Sequence, residues 1–422
     1  MAAAADRIPS SASSTPQPEP IEPWSLVKRV AFRLVYLYWV FYLLPVSRPL
    51  APWVAIHIFH LSGAVATYRP TGSGDTTLDY IQNLIVATLA VAGALVWSIL
   101  DRQRQSYAKL HPSLILLLRY SLAFILFGYG FAKVFPLQFP YPTFTRMLEQ
   151  FGDFSPMGVL WSFMGASPAY TFFAGLMELL GAFLLLFRRT ATLGGLVSAG
   201  VLLNVVVLNF CYDVPVKLFS TNLFLMAATI AAPDAMRLVR LFVLHKPCDA
   251  LSVAGPVFEQ RWMGLAGVGL KTVVIVAAVG GQVYSGYSQY RNDVLQPARP
   301  PIYGIYDVER FVRDGKEVPP LATDSGRWRT LMASYPALIQ IKMMDDVISF
   351  FQAKYEAGDS VSLRGAATGT LMYFRPDADH LMLTGKLGTE ALEVKLVRVD
   401  PRTRFLLMSR GFHWITEFPF NR

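Results

Sequence analysis

Between Ala169 and Ala232 the chain is almost continuously apolar, broken only by two short polar turns, Arg188-Arg189-Thr190 and Tyr212-Asp213-Val214-Pro215. This pattern leaves few ways to fold. A run of roughly 20 apolar residues has the length of a bilayer-spanning helix, and in hydrocarbon the backbone polar groups must be satisfied within the helix itself. The first two of the three segments reach that length. The third, roughly 15 residues, is expected to start in a headgroup layer or to tilt. Glu178 interrupts the first segment near its middle. A carboxylate there costs on the order of 3 kcal/mol or more, so it should face a protein-lined groove. Ala174, Gly181 and Ala182 stand at i−4, i+3 and i+4, which puts Glu178 on a small-residue face that another helix can approach.

The rest of the chain agrees with a membrane protein. Of its 422 residues 53% are hydrophobic and only 16% charged, where soluble domains carry about 25%. The net charge is +9, yet from residue 297 onward 17 basic residues nearly balance 15 acidic ones. The basic excess therefore lies in the apolar part and reads as a topology signal; no nucleic-acid partner is expected. Cys211 and Cys248 are the only cysteines. They are expected toward opposite sides of the membrane, without a disulfide, and no spacing suggests a metal site.

In order, residues 1–23 read as a disordered Ala/Ser/Pro-rich tail. Residues 24–112 hold N-terminal spans: Leu26 to Pro45, with Lys28, Arg29 and Arg33 at its start, and Tyr80 to Leu100. Between them Pro52 to Ala66 is too short to cross and is expected to be interfacial or re-entrant, anchored by Trp53. Its His57 and His60 share a helical face, but no third ligand stands nearby. Residues 70–75 (PTGSGD) read as a flexible turn. Residues 113–232 form the membrane core, opening with Ser113 to Phe135. There Gly128 and Ala132 make a small-xxx-small pair beside Lys133, and Tyr129 lies one turn below. Residues 136–168 are aromatic and proline-rich, an outer loop with one or two interfacial helices. Residues 233–296 supply a basic connector and a last span from about Trp262 to Tyr284. Seven spans follow. Twelve basic residues fall on the N-terminal side against six opposite, which puts the N-terminus in the cytoplasm of a bacterial inner membrane and the C-terminal region outside.

Residues 297–422 change character: short β-branched and aromatic runs alternate with turn signals. Strands are expected at Ile302–Arg313, Ala337–Met343, Val347–Glu356, Ser360–Leu363, Gly369–Phe374, His380–Lys386, Ala391–Val399 and Phe405–Ser409, closing an antiparallel barrel or sandwich. Tyr303-Gly304-Ile305-Tyr306 is similar to the opening of lipocalin-type barrels. Trp328, His413 and Trp414, amid arginines, read as core or as a docking face.

By this topology a polar group of residues gathers at the outer face of the bundle. Glu178 and Lys133 are the candidates for chemistry; Tyr129, Asn204, Asn209, Tyr212, Asp213 and Lys217 are candidates for binding. Each also has a structural reading. Asp213 and Lys217 are four apart at a helix start, Lys133 can snorkel, and Asn204 and Asn209 can join helices. Such a pocket suits a quinone head group, which needs hydrogen-bond donors, a proton source and apolar walls. With no redox centre in the chain, electrons would come from a redox partner protein or a diffusible donor.

Residues Leu117 to Ala232 resemble the DoxX/DoxD-like membrane superfamily. The resemblance rests on Gly128-Tyr129-Gly130-Phe131-Ala132-Lys133, on Glu178 followed by Leu179-Leu180-Gly181-Ala182, and on the turn Arg188-Arg189-Thr190-Ala191. It implies a four-helix membrane bundle with Lys133 and Glu178 at the matched polar positions. Some members of that superfamily are subunits of thiosulfate:quinone oxidoreductase. The extra N-terminal spans, the extra C-terminal span and the β domain depart from it. Two functions are therefore expected: a quinone-linked accessory or oxidoreductase subunit, or a non-enzymatic lipid-binding or assembly protein acting through its β domain. A small-solute transporter is a third class, because intramembrane charges also line transport paths.

Overall fold

A computed structural model describes residues 23–68, 72–248, 261–411 and 413–418. The expected disordered tail up to residue 22, residues 70–71 of the turn and residues 249–260 of the connector lie outside the described residues. The helices in chain order are α1 (Leu26–Leu43), α2 (Leu50–His57), α3 (Thr77–Leu100), α4 (His111–Val134), α5 (Phe144–Leu148), α6 (Pro156–Ala166), α7 (Pro168–Leu186), α8 (Ala191–Cys211), α9 (Lys217–Ala231), α10 (Ala235–Phe242) and α11 (Arg261–Tyr290). The strands follow as β1 (Gly304–Arg313), β2 (Lys316–Glu317), β3 (Trp328–Tyr335), β4 (Leu338–Met343), β5 (Ile348–Glu356), β6 (Ser360–Arg364), β7 (Thr368–Phe374), β8 (His380–Leu387) and β9 (Glu390–Val399), and then two one-turn helices, α12 (Pro401–Arg404) and α13 (Leu406–Ser409).

Among the described residues six helices are long and apolar enough to cross a membrane: α3, α4, α7, the stretch Arg188–Cys211, the stretch Lys217–Phe242 and the stretch Gly264–Leu295. The expected seventh, α1, is 18 residues long and carries Lys28, Arg29 and Arg33. Three cations in that length leave it no uninterrupted apolar run of bilayer length. The 8-residue α2 rises only about 12 Å at 1.5 Å per residue, far short of a hydrocarbon core. The 136–168 loop carries the expected short helices, α5 and α6, capped by Thr143 and Ser155 with Pro156 in the first turn.

The chain divides into two compact units: Met1–Leu122 with Leu185–Asn209 and Pro215–Ala250, and Ala123–Leu184 with Phe210–Val214 and Leu251–Arg422. In the first, α1 and α3 pack side by side through a polar knot. The Arg33 guanidinium, 2% exposed, donates to Tyr107 Oη, Ser98 Oγ and the Asp101 carbonyl at 2.7–2.9 Å. The cation spends its donors inside the protein instead of facing lipid. Arg119, likewise buried, donates twice to the Leu185 carbonyl, placing a cation at the negative end of α7.

In the second unit the strands run antiparallel in sequence order, β1-β3-β4-β5-β6-β7-β8-β9, and β9 pairs back to β1 from Ile305↔Val399 to Arg313↔Leu392. That last pairing makes the domain a closed eight-stranded barrel, not a sandwich; β2 is a two-residue appendage of β1. Inward positions alternate along β6, β8 and β9 (Val361 and Leu363; Leu381 and Leu383; Leu392, Val394 and Leu396) and meet Tyr306, Phe311 and Trp328 in one core. The tight curvature at β7–β8 requires glycine: a Cβ on Gly369 would lie 2.1 Å from the Lys386 carbonyl oxygen and one on Gly385 2.3 Å from that of Thr370.

Two strand expectations need correction. Leu406–Ser409 is a helical turn, α13; Asp400 caps α12, with Pro401 in its first turn, and an extended Phe405 separates the two turns. Trp328–Tyr335 is a strand that alternation does not reveal, since Thr330, Leu331, Met332 and Ala333 are all buried. The outer face of β3–β4 is covered too: Thr145 of α5 donates to Gln340, and Lys342 Nζ reaches the Leu148 carbonyl at 2.9 Å and Asp346 at 2.9 Å.

Trp328 is 2% exposed, whereas Arg329 pairs with Asp346 at the surface. Trp328→Ala should therefore cost roughly 3–5 kcal/mol and Arg329→Ala less than about 1 kcal/mol, measured by thermal unfolding of the full chain in detergent followed by near-UV circular dichroism. The Asp346 carboxyl is held below the usual range by its hydrogen bond from Lys342 and by the charges of Lys342 and Arg329. A depressed pKa stabilises the fold above the unfolded value and loses that contribution as pH falls through the folded one. Barrel stability should thus fall as pH drops below roughly 4, and Asp346→Asn should flatten that acid limb in pH-dependent melts.

Candidate functional site

The site starts from a close approach of two helices. A Cβ on Gly175 of α7 would lie 2.7 Å from the Gly130 carbonyl oxygen and 2.9 Å from Lys133 Cβ, both on α4. A Cβ on Gly130 would lie 2.7 Å from Leu179. The tight pair is thus Gly130 with Gly175. Gly128, expected to serve with Ala132, instead faces α11, where an added Cβ would lie 3.7 Å from Gln282 Oε1, and the Gln282 amide donates to the Phe124 carbonyl. Of the small face expected around Glu178, Gly181 and Ala182 are buried while Ala174 is half-buried; Gly175, beside it, is the buried residue of closest approach.

This approach brings Lys133 to Glu178. The ammonium nitrogen lies 2.9 Å from both carboxylate oxygens, and the residues are 7% and 4% exposed. A bidentate pair this deep in apolar helices neutralises two charges, neither of which could remain there alone. Aromatic rings flank it: Lys133 Nζ sits 5.6 Å from the Tyr129 ring centre and 6.0 Å from that of Phe139, and Phe139 packs edge-on against Trp161. Tyr129 is half-exposed at this margin. The arrangement offers an exchangeable proton on a carboxyl or ammonium, a phenol and aromatic walls.

The other sequence candidates have other surroundings. Asn209 donates to Ser220 Oγ at 3.0 Å, tying α8 to α9. Asn204 is exposed on α8. Tyr212 is half-buried and Asp213 exposed in the turn after α8, where Asp213 adopts a left-handed φ of 49°. Lys217 meets Asp75: its Nζ lies 3.8 Å from the carboxylate, and the backbone N–H groups of Lys217 and Leu218 donate to the same carboxylate at 2.8 and 2.9 Å. Asp75 therefore caps the positive end of α9, a role invisible at a separation of 142 residues. Phe139, Gly130 and Gly175 were absent from the sequence candidates; the signal available was a glycine facing each polar interruption.

His57 stacks on Trp53 at 4.9 Å and its Nδ1 contacts the Trp53 carbonyl, a local arrangement of a short helix. No group of three potential metal ligands occurs among the described residues, and both cysteines are free. In the barrel, Trp328 is core and Arg327 is buried against the Val318 and Trp328 carbonyls, while His413 and Trp414 are exposed.

Removing one partner of the pair strands a buried charge. Lys133→Met and Glu178→Leu should each cost roughly 3–5 kcal/mol, and the double replacement should recover most of that loss. Thermal unfolding of the three variants and the parent in one detergent measures this coupling.

No protein-family model matches the chain, and no solved structure matches it. A 144-residue stretch is 33% identical to the uncharacterized protein YwoB of Bacillus subtilis (strain 168), a match that covers 32% of this chain and 85% of YwoB. At that identity and over that share of its relative, the chain belongs to the same family as YwoB and carries about two thirds of its length beyond the shared region.

Proposed function

We propose that the chain is a multi-pass, DoxX-like protein of a bacterial inner membrane that serves a quinone-linked reaction as an accessory or oxidoreductase subunit. The N-terminal side is cytoplasmic by the distribution of basic residues and the barrel lies outside, a parity that counts α1, packed along α3 from Arg29–Arg104 to Tyr38–Asn83, as a seventh crossing. The observation that carries the reading is the buried Lys133–Glu178 pair between aromatic rings. An intramembrane ion pair of this kind is costly to keep and is the default mark of a functional site.

The donor set fits a quinone head group. Lys133 Nζ and the Tyr129 hydroxyl are hydrogen-bond donors to a carbonyl, Glu178 is the group that yields and regains a proton, and Tyr129 and Phe139 offer walls to a flat ring. A bound quinone would accept two electrons and two protons. The electrons would come from a redox partner protein, since the chain contributes binding and proton handling.

A second reading, assembly or lipid binding through the barrel, draws on the filled barrel core. An interior packed with side chains favours recognition on the outside of the barrel.

Mass spectrometry of organic extracts from the full chain in mild detergent tests the choice. A quinone retained stoichiometrically by the parent and lost by Glu178→Gln, with the fold intact, is the expected result. Absence of quinone from the parent, or equal retention by both, overturns the reading; phospholipid alone would shift support to the barrel.

A further inference from the structure

After β9 the described residues carry several exposed apolar side chains. Leu406 and Leu407 of α13 are 53% and 56% exposed, and Trp414, Ile415 and Phe418 are 91%, 78% and 83% exposed. Large apolar side chains clustered like this on a surface mark a contact site. Two contacts fix where the segment begins. Arg404 pairs with Asp307 of β1, and the Tyr141 hydroxyl donates to the Leu407 carbonyl at 3.3 Å. Tyr141 follows the end of the apolar helix α4 by only seven residues.

Other elements of the same unit converge there. Phe144 of α5 packs on Tyr303 at 5.8 Å, and Arg299 covers the same ring at 4.6 Å. Those residues join the end of the apolar Gly264–Leu295 stretch to β1. Phe135 at the foot of α4 packs on Tyr287 and Tyr290 of α11, so the two long helices end side by side. Phe151 and Phe163 on the α4–α7 connection are also 79% and 58% exposed.

We propose that residues 401–411 and 413–418 are a membrane-surface anchor: they lie in the headgroup–acyl boundary of the bilayer at the α4 and α11 ends and seat the barrel against it. Trp and Phe favour that depth, where a ring is half in hydrocarbon. Three arginines, Arg402, Arg404 and Arg410, against one acid, Glu417, give the segment a net positive charge that suits anionic headgroups. α12 and α13 are four residues each, too short to offer the i, i+4, i+7 anchors with which a helix fills a protein groove. This inference rests on the membrane reading of the helices and is independent of any quinone.

Site-directed spin labelling of the full chain tests it. In a Cys211→Ala, Cys248→Ala background, single cysteines are placed by Ile415→Cys, by Phe418→Cys and, as an aqueous control on the barrel, by Leu321→Cys, which is 56% exposed in the parent. The labelled proteins are studied in nanodiscs of phosphatidylcholine with phosphatidylglycerol. Labels at 415 and 418 should collide more with oxygen than with a water-soluble nickel chelate, and the label at 321 should show the reverse order. Nickel-dominated collisions at 415 and 418, matching 321, would place the segment in water and overturn the proposal. Low collision rates with both reagents would mean burial against protein and overturn it equally.

Discussion

The Lys133–Glu178 ion pair governs how its part of the molecule is put together. In an apolar medium the effective desolvation penalty is several kcal/mol per ion, and only close pairing offsets it. The two side chains meet at 2.9 Å because Gly130 and Gly175 let α4 and α7 come nearly backbone to backbone. Slipping one helix past the other by a turn, about 5.4 Å, would separate the charges. The pair thus acts as a register pin, and the glycines are the condition for it. The segment just after α4, with Phe139, Tyr141 and the α5 contact with the barrel, starts from this pin.

The first unit uses the same logic with different chemistry. Its apolar helices are locked by a few polar contacts, each satisfied inside the protein. They are the Arg33 knot, the Asp75 cap on α9, and the Tyr38–Asn83–Asn222 cluster joining α1, α3 and α9. Between helices immersed in hydrocarbon, apolar burial gives little preference for one packing over another. Polar side chains and small residues therefore carry the specificity.

This explains what could be read from the sequence and what could not. The apolar runs announce the long helices by length alone, and the exposed-buried alternation of β6, β8 and β9 announces strands. Glu178 and Lys133 were legible because each breaks an apolar run. β3 was not, because α5 covers its outer face and erases the alternation. Phe405–Ser409 reads as a strand by composition, but only Phe405 is extended and Leu406–Ser409 forms a helical turn. Lys217 illustrates the limit of local spacing: its neighbour at i−4 suggests one partner, while the fold brings Asp75 from far along the chain. α1 misleads for a related reason. Its three cations signal a span end, yet Arg33 is buried within the protein.

Closure of the barrel has a bearing on how this protein can meet others. Each of the eight barrel strands has its backbone hydrogen bonds taken by neighbours on both sides, and the appended β2 offers an edge only two residues long. A partner therefore finds almost no main-chain donors or acceptors to extend the sheet. Recognition by strand addition, which is tolerant of sequence, is closed to it. Whatever binds this domain has to read side chains and loops, so its contacts will be set by sequence and easily lost by single substitutions. The same closure keeps the domain from polymerising edge to edge, however crowded its surroundings.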